Sequence, residues 1–178
     1  NQVDAAQAIY YAVDQGAKII NCSWGYFKYT FVLKEAIEYA INNDVIVVAA
    51  AGNSSSSMKE YPAGFDEVIA VGALDSHDDK ASFSNYGNHV SFMAPGIDIF
   101  STIPNNHYNF MSGSSQSTAL ISGIISKIMS YSSKFTTQQV RSILIKSSES
   151  LSNLNKNHGT GYGKISTTLL KQSIIEEA

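Results

Sequence analysis

Val45-Ile46-Val47-Val48-Ala49-Ala50-Ala51 is the longest apolar run in the chain, and it stops at Gly52-Asn53. Apolar residues follow one another there without alternation. That pattern predicts a strand over Val45–Ala49 buried on both faces, the kind found in parallel sheets. The run is far too short to span a membrane.

The segments on either side fit such a sheet. Just upstream, Val32–Asn43 sets Leu33, Ala36, Ile37, Ala40 and Ile41 on one helical face. Ala17–Cys22 reads as another buried strand, and Val3–Gln15 as a helix that Gly16 stops. Because the chain opens inside an element, its N-terminus is expected to be a cut. Downstream, Glu67–Gly72 reads as a strand, and Ser82–Ser101 as short strands broken by Pro95-Gly96. Helices are expected over Ser115–Tyr131 and Thr137–Ser147. Strands alternating with helices predict an α/β fold, a three-layer sandwich around a mainly parallel sheet. Neither a repeat nor a linker interrupts it, so residues 1–178 read as one domain.

Composition narrows the function classes. The chain has 178 residues, 44% hydrophobic and 15% charged, enough for one sizeable core. A formal charge of -3 without a Lys/Arg cluster excludes a nucleic-acid surface. The single Cys22 rules out an internal disulfide framework and leaves the compartment open.

Three segments carry chemistry. Asn53 ends the most apolar strand, where ligands of open α/β sheets bind, and its amide can donate to a developing oxyanion. A plain turn is the commoner meaning of Gly-Asn in that place. In Ser112-Gly113-Ser114-Ser115-Gln116-Ser117-Thr118, a serine at the first turn of a helix lies near unpaired N–H groups and the positive end of the dipole. An N-cap serine is the commoner occupant of such a position. Ser23-Trp24-Gly25 ends the Ile19–Cys22 strand, and an edge strand stopping in glycine can take an extended peptide. A strand end with a buried Trp is the simpler account.

Taken in order, these segments resemble the subtilisin-like serine proteases (subtilases). The likeness runs from Ala12-Val13-Asp14-Gln15-Gly16 through Ser23-Trp24-Gly25 and Val45–Asn53. It continues through Tyr61-Pro62-Ala63, Ala81-Ser82-Phe83-Ser84-Asn85-Tyr86-Gly87 and Met93-Ala94-Pro95-Gly96 to Ser112-Gly113-Ser114-Ser115. The resemblance implies that Ser115 attacks the scissile carbonyl and that Asn53, with the Ser115 N–H, holds the oxyanion. It implies that Ser23, Trp24 and Gly25 line one side of the P1 pocket, and Ala51 and Gly52 the other. A cis bond before Pro62, a peptide or protein substrate and secretion are further implications. Calcium is implied by the family alone, since no residue cluster here marks a cofactor site. Three departures stand out: Ser114 replaces Thr and keeps the hydroxyl, Gln116 puts a polar group where the family usually packs Met, and Ala119-Leu120 replace Pro-His. They bear on substrate preference.

A serine needs a base, and the base a carboxylate. The family draws both from segments N-terminal to the part seen here, and neither occurs upstream of Ser115. The intact protein is therefore expected to be an endopeptidase whose Asp and His come from an N-terminal remainder of the same domain. An inactive, peptide-binding relative is the alternative. His158-Gly159-Thr160 copies the letters of the missing base motif but stands next to Gly161-Tyr162-Gly163, which resembles the family's closing turn. His107 is expected in an exposed hairpin loop, His77 in an Asp-rich turn with Asp78 and Asp79, and His89 at the opening of a strand. No His/Cys spacing fits zinc. Gly113-Ser114-Ser115 also approaches the nucleophile elbow of α/β-hydrolases, but no Asp follows Ser115.

Overall fold

The computed structural model describes residues 1–132, 135–151 and 159–177. Its first half alternates helix and strand: α1 (Gln2–Asp14), β1 (Ile19–Cys22), α2 (Phe31–Asn42), β2 (Ile46–Ala50), then β3 (Ile69–Leu74). After β4 (Phe92–Pro95) comes a separate antiparallel hairpin, β5 (Ile99–Ile103) and β6 (His107–Met111). Helices α3 (Ser114–Tyr131) and α4 (Thr137–Lys146) follow, then β7 (Ser148–Glu149), β8 (Lys164–Ile165) and α5 (Thr167–Glu177).

Six strands form one sheet in the order β1-β2-β3-β4-β8-β7. All neighbours run parallel except β7 and β8. The alternation of side chains along each strand divides the core. Val45, Val47 and Ala49 meet Ile9, Leu33, Ala36 and Ile37 of α1 and α2 on one face. Ile46 and Val48 meet Ile121, Ile125 and Ile128 of α3, with Ile143 and Leu144 of α4, on the other. The expected three-layer α/β sandwich is the observed one.

Caps and turns set the helix limits. Asn1 Oδ1 accepts from Val3 and Asp4 N–H, and the Asp4 carboxylate returns to the N-terminal amine, a reciprocal start for α1. Thr136 and Gln139 close the same box on α4. Strand β3 lies two residues later than Glu67–Gly72, because Glu67 is drawn to Lys34 and Val68 N–H closes a turn on Phe65 O. The Tyr61-Pro62 bond is cis.

Cys22 ends β1 at 1% exposure, and burial pushes its thiol up to about 12. A thiol so protonated and enclosed should react with iodoacetamide on the order of a thousandfold more slowly than a free cysteine at pH 8. Rapid labelling of the native chain would mean that β1 opens from the sheet.

Candidate active site

The strand ends and the start of α3 converge on one cleft. Strands β1, β2 and β4 run parallel, so their carboxyl ends lie on the same side of the sheet. A chain of three hydrogen bonds ties the end of β1 to α3, about a hundred positions away in sequence. Ser122 Oγ donates to Asn21 Oδ1, Asn21 Nδ2 to Ser23 Oγ, and Ser23 Oγ to the Ser115 carbonyl. The Ser115 hydroxyl in turn donates to the Ser23 carbonyl at 3.1 Å. The end of β1 and the first turn of α3 are thereby locked in register.

Gly113 caps the start of α3 and has no side-chain acceptor, so the first N–H groups of the helix depend on partners from elsewhere. Asn53 supplies an acceptor from outside the helix: its Oδ1 takes the Ser114 N–H at 2.8 Å. That bond decides the amide's orientation. An oxygen must meet the N–H, so Nδ2 is the donor, without a hydrogen-bond partner among the described residues, and it lies 3.4 Å from where a Cβ on Gly113 would stand. Gly52 N–H meets the buried Ser114 Oγ at 3.3 Å. The hydroxyl that Ser114 shares with threonine thus has a structural partner.

The cleft, about 260 Å³, is lined by Ser23, Trp24, Gly25, Gly52, Asn53 and Ser115. Ala51, expected on its wall, is fully buried instead with Leu74, Val90 and Met93. Ala50 lines the cleft in its place. The reason is the period-two alternation at the strand's end, which turns one of two successive alanines inward.

Glu60 also lines the cleft, and nothing in the sequence had marked it. Tyr26 and Tyr61 exchange backbone hydrogen bonds of 2.8 and 2.7 Å, which bring the residue before Tyr61 beside Gly25. The link is a single cross-chain bridge, so no local pattern announces it. Burial raises the Glu60 carboxyl above its ordinary range, while a hydrogen bond from Asn85 opposes the rise.

The described histidines stand elsewhere. His107 opens β6 directly after the hairpin turn and is exposed. His77 sits in a turn where Asp75 Oδ1 accepts from the His77 and Asp79 N–H groups. His89 precedes β4 in a turn and does not open the strand as expected; Val90 N–H closes that turn on Gly87 O. Burial and nearby Lys59 hold its imidazole below the usual histidine range. His158 lies outside the described residues. Among the described residues no three His, Cys, Asp or Glu are placed to hold a metal ion. Asp75 serves its turn and Asp78 pairs with Lys164, so these carboxylates do not fit the calcium that the family suggests.

A sheet-end cleft holding a helix-start serine and an asparagine amide is the arrangement that the ordered motifs implied. The subtilase family profile matches residues 1–163, and the chain belongs to that family. It is 44% identical over 127 residues to a thermophilic serine proteinase of Bacillus sp. (strain AK1), covering 71% of this chain and 32% of that protein. Subtilisin DY of Bacillus licheniformis is 38% identical over 168 residues, 92% of this chain and 60% of its own. Among solved structures, the prenylagaramide maturation protease PagA superposes with a TM-score of 0.90 at 29% identity. That match covers 100% of this chain and 69% of PagA. The chain thus spans about a third of one curated relative and three fifths of another.

Proposed function

We propose that the complete protein is a serine endopeptidase in which Ser115 forms the acyl-enzyme. The observation that carries this reading is that Ser115 and Asn53 line one cleft, with the Asn53 amide oxygen tied to the Ser114 N–H and its nitrogen left to donate. Ser115 O–H attacks the scissile carbonyl carbon as a base accepts its proton. The oxyanion takes hydrogen bonds from Asn53 Nδ2 and the Ser115 N–H, and the amine leaves with the proton returned. Water then repeats the sequence in reverse on the ester. Ser23, Trp24, Gly25 and Gly52 hold the substrate in extended form.

No histidine lines the cleft among the described residues. The base and its carboxylate are therefore assigned to a segment N-terminal to this chain. The outer edge of β1 supports this, because it has no strand partner among the described residues although β1 ends in the cleft. Action outside the cytoplasm belongs to the same proposal; none of the described helices is long and apolar enough to cross a membrane.

The test compares the 178-residue chain with the polypeptide extended upstream. The extended form should hydrolyse peptide esters and react stoichiometrically with an organophosphonate, and the 178-residue chain should do neither. Activity in the short chain would refute the missing-base assignment. An upstream segment without Asp and His would favour the second reading, a peptide-binding relative without catalysis, which the histidine-free cleft also fits.

A further inference from the structure

Peptide hydrolysis makes no use of the carboxylate that closes one end of the cleft. Glu60 stands between the two glycines that face each other across it. A Cβ on Gly25 would lie 2.9 Å from Glu60 Oε2, and one on Gly52 would collide with Oε1. Neither wall carries a side chain where the carboxylate reaches it, so the backbone closes around the charged group.

The group is held in place. Glu60 Oε1 accepts from Asn85 Nδ2 at 2.9 Å. Asn85 is completely buried, and its amide is fully engaged. It donates also to Ala51 O and accepts from Ser54 and Ser56 N–H. One buried side chain therefore anchors both the loop after Asn53 and the carboxylate. Glu60 Oε2 has no hydrogen-bond donor and Glu60 no ion-pair partner among the described residues. The neighbouring Lys59 points away, donating to Gly64 O and pairing with Asp66. A half-buried carboxylate without a cation is costly, and a ligand cation entering the cleft relieves that cost.

We propose that Glu60 makes this cleft a pocket for a cationic P1 side chain, lysine or arginine, on the acyl side of the bond to be cleaved. The proposal rests on the endopeptidase reading only for the cleft's orientation towards Ser115. The aliphatic stem of the P1 residue lies along Trp24 and the Gly25 and Gly52 backbones, and its charged end meets Oε2.

Binding tests it without requiring turnover. The full-length protein and its Glu60→Gln variant are titrated calorimetrically with three product-like peptides, Ala-Ala-Pro-Arg, Ala-Ala-Pro-Lys and Ala-Ala-Pro-Phe. The Arg and Lys peptides should bind the wild type on the order of tenfold more tightly than the Phe peptide. In Glu60→Gln that ratio should fall to one or below. A Phe preference in the wild type overturns the proposal, as does a ratio that survives the substitution. A Glu60 that only braces Asn85 would lower the melting temperature of the variant and leave the ratio intact. If the variant proves too unstable to purify, the wild-type ratio decides, and a value at or below one is fatal. Turnover separates the two readings. Cationic preference without cleavage of any peptide removes the endopeptidase and leaves Glu60 its role. Cleavage after Phe alone does the reverse.

Discussion

Replacing Ser115 by alanine in the polypeptide that carries its base should lower kcat on a peptide amide by about 10⁶, a magnitude taken from subtilisin itself. The expected KM is nearly unchanged, because the substitution removes one hydroxyl at the cleft and leaves the Trp24, Gly25 and Gly52 walls that hold the substrate in place. Folding should be nearly unaffected as well. The hydrogen bond lost, Ser115 Oγ to Ser23 O at 3.1 Å, lies at the exposed mouth of the cleft, and such a bond contributes about 1 kcal/mol or less. The reciprocal bond from Ser23 Oγ to the Ser115 carbonyl uses backbone and survives. A thermal melt within a few degrees of wild type, together with loss of organophosphonate labelling, would place the defect in the chemistry. Retained peptidase activity would show that Ser115 is not the nucleophile.

The second large effect belongs to Asn53, and the geometry separates its two tasks. Asn53→Ala should lower kcat by about 10²–10³, again a figure measured on subtilisin and not obtained from this cleft. Alanine, however, also removes the acceptor of the Ser114 N–H and so unbinds the start of α3. That loss of a capping bond costs about 1 kcal/mol of stability. Asn53→Asp keeps an oxygen for the Ser114 N–H and deletes only the donor, while placing negative charge beside the oxyanion. It should keep the melting temperature within a few degrees and lower kcat at least as far as alanine does. Full activity in the aspartate variant would reduce Asn53 to a brace for the helix.

The parts of the fold legible in the sequence are those governed by local periodicity. The unbroken run from Val45 to Ala51 could only be a strand covered on both faces. The Leu33-Ala36-Ile37-Ala40 stripe could only be the helix covering one of them. Where pairing decides, local patterns fell short. Strands β7 and β8 are two residues each and exist because Ser148 and Glu149 find Ile165 and Lys164. His89 was expected to open a strand, but the Gly87–Val90 turn holds it outside β4.

The cleft divides in the same way. Ser115 and Asn53 were recognisable because each sits at the end of a strongly periodic element, where chemistry-bearing groups are exposed by construction. The wall was less legible. Ala50 and Ala51 are chemically identical, and only the alternation of side chains in the folded sheet decides which of them faces the cleft.

The sequence by itself determined the layers, the family and the two residues with which this protein is proposed to attack and stabilise a carbonyl. Each of these depends on residues near one another along the chain. Only the tertiary structure decided what closes the cleft beside them. Glu60 reaches Gly25 through the Tyr26–Tyr61 bridge and is held by Asn85, 25 residues further on. A charge placed by such contacts has no signature in the chain around it, because the backbone bonds that position it form between any residue types.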